Sequence, residues 1–159
     1  MHEAHFVHVL SWRPWTEVTA VHAFAHERFS AEVRLTPDIV SEYARAAGDD
    51  NPVHHDDAFA ARTRFGRPIA SGTHTTALLL GLTAKHYSKN GAMLGLEFWV
   101  RFKKAIFADE TIRLEWLVIK VTPNAKLNGE VVELRGRIRN EKGETALGAK
   151  GKVLVAASL

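Results

Sequence analysis

The segment SGTHTTALLLGLTAKHY, Ser71–Tyr87, limits the fold more than any other stretch. Ser71 can cap a helix by accepting from the N–H groups that a first turn leaves unpaired. Beyond it, Leu78, Leu79, Leu80, Leu82 and Ala84 make the segment apolar most of the way round. A one-sided stripe suits a surface helix, whereas this pattern needs cover on nearly every side. It predicts a buried central helix from Ser71 to about Tyr87, wrapped by the rest of the chain.

The flanking sequence reads as that wrapping. From Arg28 to Leu35, Phe29, Ala31 and Val33 alternate with Ser30, Glu32 and Arg34, the period of a half-buried strand. A helix then starts at TPD: Thr36 caps it, Pro37 tolerates a first turn because it has no N–H to leave unpaired, and Asp38 suits the positive helix end. Ile39, Val40, Tyr43, Ala44 and Ala47 form its apolar stripe, and Gly48 stops it.

From Met93 the period becomes two, placing Leu94, Leu96, Phe98, Val100 and Phe102 on one face of a strand. Thr111–Val121 reads as another strand. In the next, Val132, Leu134 and Ile138 oppose Glu133, Arg135, Arg137 and Arg139. Asn140–Gly143 turns the chain into a last strand lined by Leu147, Ala149, Val153 and Val155. Strand, helix, buried helix and four strands in hairpin-like succession give an α+β plan, an antiparallel sheet around one long helix.

At 159 residues the chain fits a single domain, 1–159, with residues 1–27 an atypical N-terminal arm. The arm reads as a loosely placed segment or extra edge strand. It lacks the basic start and small-residue cleavage site of a signal peptide. Without cysteine there is no disulfide, Cys-based zinc site or thiol nucleophile, which suits a reducing cytoplasm. A net charge of +3 is too mild to suggest nucleic acid, and no apolar run approaches the roughly 20 residues of a membrane span.

The chemistry concentrates in GDDNPVHH, Gly48–His55. Asp, Asn, Pro and Gly make turns for conformational reasons alone, but a turn has no need of histidine. Pro52 removes a donor and pushes Asn51 toward extended geometry, so the helix cannot run on. A turn there can bring the Asp49 carboxylate and the His54 imidazole to opposite sides of one small site, with Asn51 offering a donor and an acceptor. Such a pair sharing one water can add it across a double bond, one group taking the water proton while the other protonates the neighbouring carbon.

Y-x₄-GDDNPVH-x₅-A, from Tyr43 through Gly48, Asp49, Asn51, Pro52 and His54, followed by FGRPIASGTHT, closely resembles the MaoC-like acyl dehydratases, the R-specific enoyl-CoA hydratase (hydratase 2) family. The resemblance is carried by Phe29–Phe107. It implies a hot-dog fold and hydration of trans-2-enoyl-CoA to (R)-3-hydroxyacyl-CoA, or the reverse dehydration. It also implies Asp49 and His54 as the catalytic pair, Asn51 as their supporting polar group, and a Gly72 backbone N–H on the thioester oxygen. Gly72 has an independent reason: the start of a buried helix favours developing negative charge, and a residue without a side chain lets a thioester come close. The resemblance requires no metal and no cofactor, coenzyme A being the substrate's handle. A lone hot-dog sheet leaves an edge bare, so at least a homodimer is expected. A hot-dog thioesterase and a non-catalytic acyl-thioester-binding module are the alternatives.

Other residues carry weaker expectations. His54-His55-Asp56-Asp57 lacks metal-ligand spacing, because adjacent histidines point apart. His74 reads as a buried, hydrogen-bonded histidine, with contact to the active site as the alternative. Arg62, Arg64, Arg67, Arg101, Lys103 and Lys104 are candidates for the phosphates of coenzyme A or for a solvated face. Leu78, Leu82, Phe98 and Trp99 would set pocket depth. Trp12, Trp15 and Phe24 would pack the core or close one end of the tunnel.

Overall fold

The computed structural model describes residues 22–89 and 91–158. It contains strand β1 (Arg28–Arg34), helices α1 (Pro37–Ala46), α2 (Asp57–Ala61) and α3 (Gly72–Tyr87), and strands β2 (Ala92–Phe102), β3 (Thr111–Asn124), β4 (Gly129–Arg139) and β5 (Thr145–Ala156). The strands form one antiparallel sheet in the order β1-β3-β4-β5-β2. β3, β4 and β5 follow one another as hairpins. β2 and β3 do not, which corrects the expected four-strand succession: β2 pairs with β5 at one edge, while β3 lies beside β1. The link between β2 and β3 therefore crosses the sheet, and period-two patterning cannot reveal which strands are neighbours.

α3 begins where Ser71 indicated: the Ser71 side chain accepts from the His74 N–H (3.2 Å). Leu79 and Leu82 pack into the core, and the Trp116 indole donates to the Leu79 carbonyl (2.8 Å), pinning helix to sheet. Gly136 faces Trp116 across the β3–β4 ladder, and a methyl there would meet the ring at 2.5 Å. The glycine is the hollow that admits the indole. α3 is not covered all round, however. Thr73, Ala77, Gly81 and Ala84 form an exposed stripe of small residues, because one sheet encloses only part of a helix.

Two expected faces also need correction. A bulge between Gly95 and Glu97 shifts the phase of β2, so Met93, Phe98 and Val100 pack on the core while Leu94 and Leu96 are exposed. A bulge puts two residues opposite one and flips every later side chain, which unbroken alternation misses. In α1, Val40 and Ala44 are buried but Ile39 and Ala47 are exposed. Phe24 is 61% exposed and does not pack the core; Trp12 and Trp15 lie outside the described residues. No described helix is long and apolar enough to cross a membrane.

Candidate active site

α1 delivers the motif. Its last turn closes with the Gly48 N–H on the Arg45 carbonyl (3.0 Å) and the Asp49 N–H on the Ala44 carbonyl (2.8 Å), while Gly48 takes φ +72°. This paired closure of a helix C-terminus needs left-handed backbone at the glycine. It reverses the chain and sets Asp49 at a fixed place just past the helix. Pro52–His54 then forms a single 3₁₀ turn, capped by the Asn51 side chain, whose oxygen accepts from the Val53 N–H (3.3 Å). The Asn51 backbone N–H donates to Asp49 Oδ1 (3.2 Å). Asn51 thus shapes the turn with its side-chain oxygen and aims the carboxylate with its main chain, leaving only its amide nitrogen for other work.

The turn brings Asp49 and His54 together: His54 Nε2 lies 3.4 Å from Asp49 Oδ2. His54 is buried and Asp49 half-buried. His54 Nδ1 lies 2.7 Å from the Ile69 carbonyl, which can only accept, so Nδ1 carries the proton. In the neutral ring Nε2 is then a bare acceptor facing a carboxylate oxygen, another acceptor. The gap is too short for a water in line, so a water shared by the two would bridge them from one side. A carboxylate and an imidazole positioned to share one water is an arrangement that general acid/base chemistry can use.

Ile69 also joins this pair to the start of α3. Its N–H donates to the Val53 carbonyl (3.3 Å), it bridges to Phe107, and the next residue, Ala70, donates to the Ile106 carbonyl (2.8 Å). These bonds tie the 3₁₀ turn to the lead-in to α3. At that helix start the Gly72 and Thr73 N–H groups have no hydrogen-bond partner among the described residues, while His74 and Thr75 bond back to Ser71. Free N–H groups at a helix N-terminus are suited to developing negative charge. The Phe102 ring lies against Gly72, and a methyl there would meet it at 2.8 Å. A depression of about 500 Å³ is lined by Ile69, Gly72, Thr75, Phe102 and Lys103. Asp49 and His54 are not among its lining residues; Ile69 connects the two.

Some contributors left no readable signal in the sequence. The Ile69 carbonyl is one, since every residue has a carbonyl. His55 is another: its Nε2 donates to the Asp49 carbonyl (2.7 Å), and its Nδ1 accepts from the Ser41 hydroxyl (2.9 Å). It ties the motif back to α1, and the rings of His54 and His55 stand 6.3 Å apart at 80°. Among the described residues no cluster of three metal-ligand side chains forms. His74 is buried as expected, but its Nδ1 has no partner among the described residues. Instead its ring stacks on Tyr43 at 4.3 Å, and burial lowers its pKa.

Of the candidate cations, Arg67 pairs with Asp109 (2.7 Å) over the Phe107 ring, and Lys104 pairs with Glu144. Arg62 and Arg64 lie over Phe59 and Phe65. Arg101 and Lys103 reach the outer face of the sheet. Leu82 is buried, Leu78 and Phe98 are half-buried against the core, and Trp99 is exposed on the outer face.

A five-stranded antiparallel sheet curled against one long helix, with a carboxylate–imidazole pair tied to that helix's start, defines a hot-dog domain. The chain belongs to the MaoC like domain family, whose model matches residues 22–147. It is 32% identical over 117 residues to the (R)-specific enoyl-CoA hydratase of Aeromonas caviae, covering 73% of this chain and 81% of the relative. It is 28% identical over 84 residues to the 3-hydroxybutyryl-CoA dehydratase of Methylorubrum extorquens, covering 53% of each. The solved structure of the A. caviae (R)-hydratase involved in PHA biosynthesis superposes with a TM-score of 0.76 at 26% identity, over 84% of this chain and 97% of the other.

Proposed function

We propose that this protein is a hydro-lyase that adds water to trans-2-enoyl-CoA to give (R)-3-hydroxyacyl-CoA, or runs the dehydration. The observation that carries the reading is the His54–Asp49 contact at 3.4 Å with the other ring nitrogen committed to the Ile69 carbonyl. That arrangement holds one unprotonated nitrogen and one carboxylate oxygen toward a shared water. One group removes the water proton as oxygen bonds to C3, the C2–C3 π electrons move toward the carbonyl, and the other delivers a proton to C2. The enolate oxygen that develops meets the free Gly72 N–H, and the Thr73 N–H is a second donor absent from the sequence reading. The R configuration follows the named relatives, and coenzyme A enters as part of the substrate.

Crotonyl-CoA tests this directly through loss of enoyl-thioester absorbance. Asp49→Asn and His54→Ala should each lower kcat by about 10²–10⁴-fold, the range of a general acid/base contribution. Parent-like activity in both variants, or no turnover at any chain length, would remove the reading. Release of free thiol would identify thioester hydrolysis instead.

The functional unit in this proposal is a homodimer. β2 is an edge strand with Leu94 45% and Leu96 49% exposed, and the small-residue stripe of α3 lies open. Edges of this kind are ordinarily covered. Light scattering at micromolar concentration should give twice the chain mass; a monomer would refute it.

A further inference from the structure

The outer face of the sheet, away from α3, carries a feature that acid/base chemistry does not use. A depression of about 780 Å³ there is bordered by Arg28, Trp99, Arg101, Lys103, Arg135 and Lys150. Register places Trp99 beside Lys150 and Lys150 beside Arg135, so the three form a row across β2, β5 and β4. Gly148, opposite Arg101 on β5, has no side chain and keeps the floor beside this row low.

The charges are unbalanced in a particular way. Glu115 is the one carboxylate lining the depression, and Arg113, Arg137 and Arg139 all converge on it. Burial alone would raise its pKa, but the Arg137 hydrogen bond and charge outweigh that and hold it low. Arg28, Arg101, Lys103, Arg135 and Lys150 have no carboxylate within 4.0 Å among the described residues. On the other side of the Trp99–Lys150–Arg135 row lies a depression that does contain acids, Glu97 and Glu133. The row therefore divides a mixed-charge side from a side open to anions.

Trp99 decides what kind of anion fits. It is 52% exposed within this basic face, with Lys150 Nζ 5.8 Å from its ring centroid. An exposed indole flanked by unpaired cations offers a stacking surface to a planar base and partners for its phosphates. Strands lie about 4.8 Å apart and rise about 3.3 Å per residue, so Lys150, Arg101 and Arg135 stand roughly 5, 7 and 10 Å from Trp99 along the sheet. Those spans match a base and its attached phosphates. Arg28, four strands away at roughly 19 Å, is too far to serve the same small ligand.

We propose that this face binds a nucleotide bearing more than one phosphate, the base on Trp99 and the phosphates on Arg101, Arg135 and Lys150. The same chemistry is found in the nucleotide end of a coenzyme A thioester and in a free nucleotide. Lys103 lines both this depression and the one against Gly72, which connects the two around the end of β2. The site stands on its own geometry and does not need the hydratase reading. Pairing of a second copy along β2 would occur in the plane of the sheet, whereas Trp99 stands off its face.

Calorimetry with adenosine 3′,5′-bisphosphate tests the proposal on the full chain, with pyrophosphate and adenosine as probes lacking base or phosphate. Saturable binding of the bisphosphate is expected, weakened at least tenfold both in Trp99→Ala and in Arg135→Glu/Lys150→Glu, with circular dichroism unchanged. Competitive inhibition of crotonyl-CoA turnover would assign the site to the substrate's own nucleotide; binding without competition would assign it to a free nucleotide. No saturable binding below millimolar concentration would overturn the proposal. So would equal affinity for pyrophosphate with no effect of Trp99→Ala, or preference for a short single-stranded DNA. Absence of turnover alone counts against the hydratase reading and leaves the calorimetry to decide this one.

Discussion

Replacing Gly72 with alanine separates the proposed catalytic use of the α3 start from its structural role. The added methyl would lie 2.8 and 2.9 Å from two atoms of the Phe102 ring, closer than side-chain carbons approach, so something must shift. What shifts is the far end of a side chain that is 58% exposed, not backbone. Swinging Phe102 costs about 0.5–1.5 kcal/mol if it leaves its rotamer well. Replacing glycine where the backbone suits alanine returns about 0.4–1 kcal/mol through the unfolded chain, so the two nearly cancel. Tm should therefore move by no more than about 3 °C.

Activity should respond differently. If a thioester oxygen uses the Gly72 N–H as proposed, the methyl and the displaced ring would crowd its approach, although the N–H itself remains. Losing one such donor is worth about 10²–10³-fold in kcat. The assay pairs a thermal melt with crotonyl-CoA kinetics for Gly72→Ala, Phe102→Ala and the double variant. The expected result is a kcat loss of about 10²-fold at nearly unchanged Tm, with partial recovery in the double variant if the displaced ring contributes. Unchanged kcat/KM would refute the use of this N–H, and a loss that follows Tm would make the glycine merely structural.

Three further outcomes follow from the buried groups. Gly136→Ala drives a methyl to 2.5 Å from the buried Trp116 ring, and overpacking of about 1–3 kcal/mol should lower Tm by roughly 3–10 °C in a thermal melt. Burial lowers the His74 pKa from 6.5, so the unfolded chain binds the proton more readily. Stability tied to His74 is full above pH 6.5 and is lost as pH falls below it, and His74→Phe should flatten that acid limb in melts from pH 7.5 to 5. Glu110 has the opposite sign: burial raises its pKa above 4.5, so its contribution is intact at low pH and declines as pH rises through the raised value. Glu110→Gln should therefore melt higher than the parent near pH 7 and lose that advantage near pH 4.5; a constant difference across this range would refute it.

Local chemistry was legible wherever one residue decides one local event. Thr36, Gly48 and Ser71 each do at the helix ends what their side chains, or the lack of one, dictate. The strands were legible because alternation is set by the pleat, as β4 shows with Val132, Leu134 and Ile138 buried. The phase of β2 was not, since a bulge between Gly95 and Glu97 depends on what β5 offers opposite. The short helix α2 was missed because five residues show no period.

For the candidate site, the residue types and their spacing were visible in GDDNPVHH, and with them the possibility of a carboxylate–imidazole pair. Tertiary structure alone supplied the 3.4 Å contact, the Ile69 carbonyl that fixes which nitrogen of His54 carries the proton, and the His55 bond that ties Asp49 to α1. It also gathered Trp99, Arg101, Arg135 and Lys150 onto one face from three separate strands. Helix ends, turns and pleats are set by interactions within a few residues, so the chain announces them directly. Contacts across the sheet depend on register and on which strands are neighbours, and those are decided only when the whole core closes.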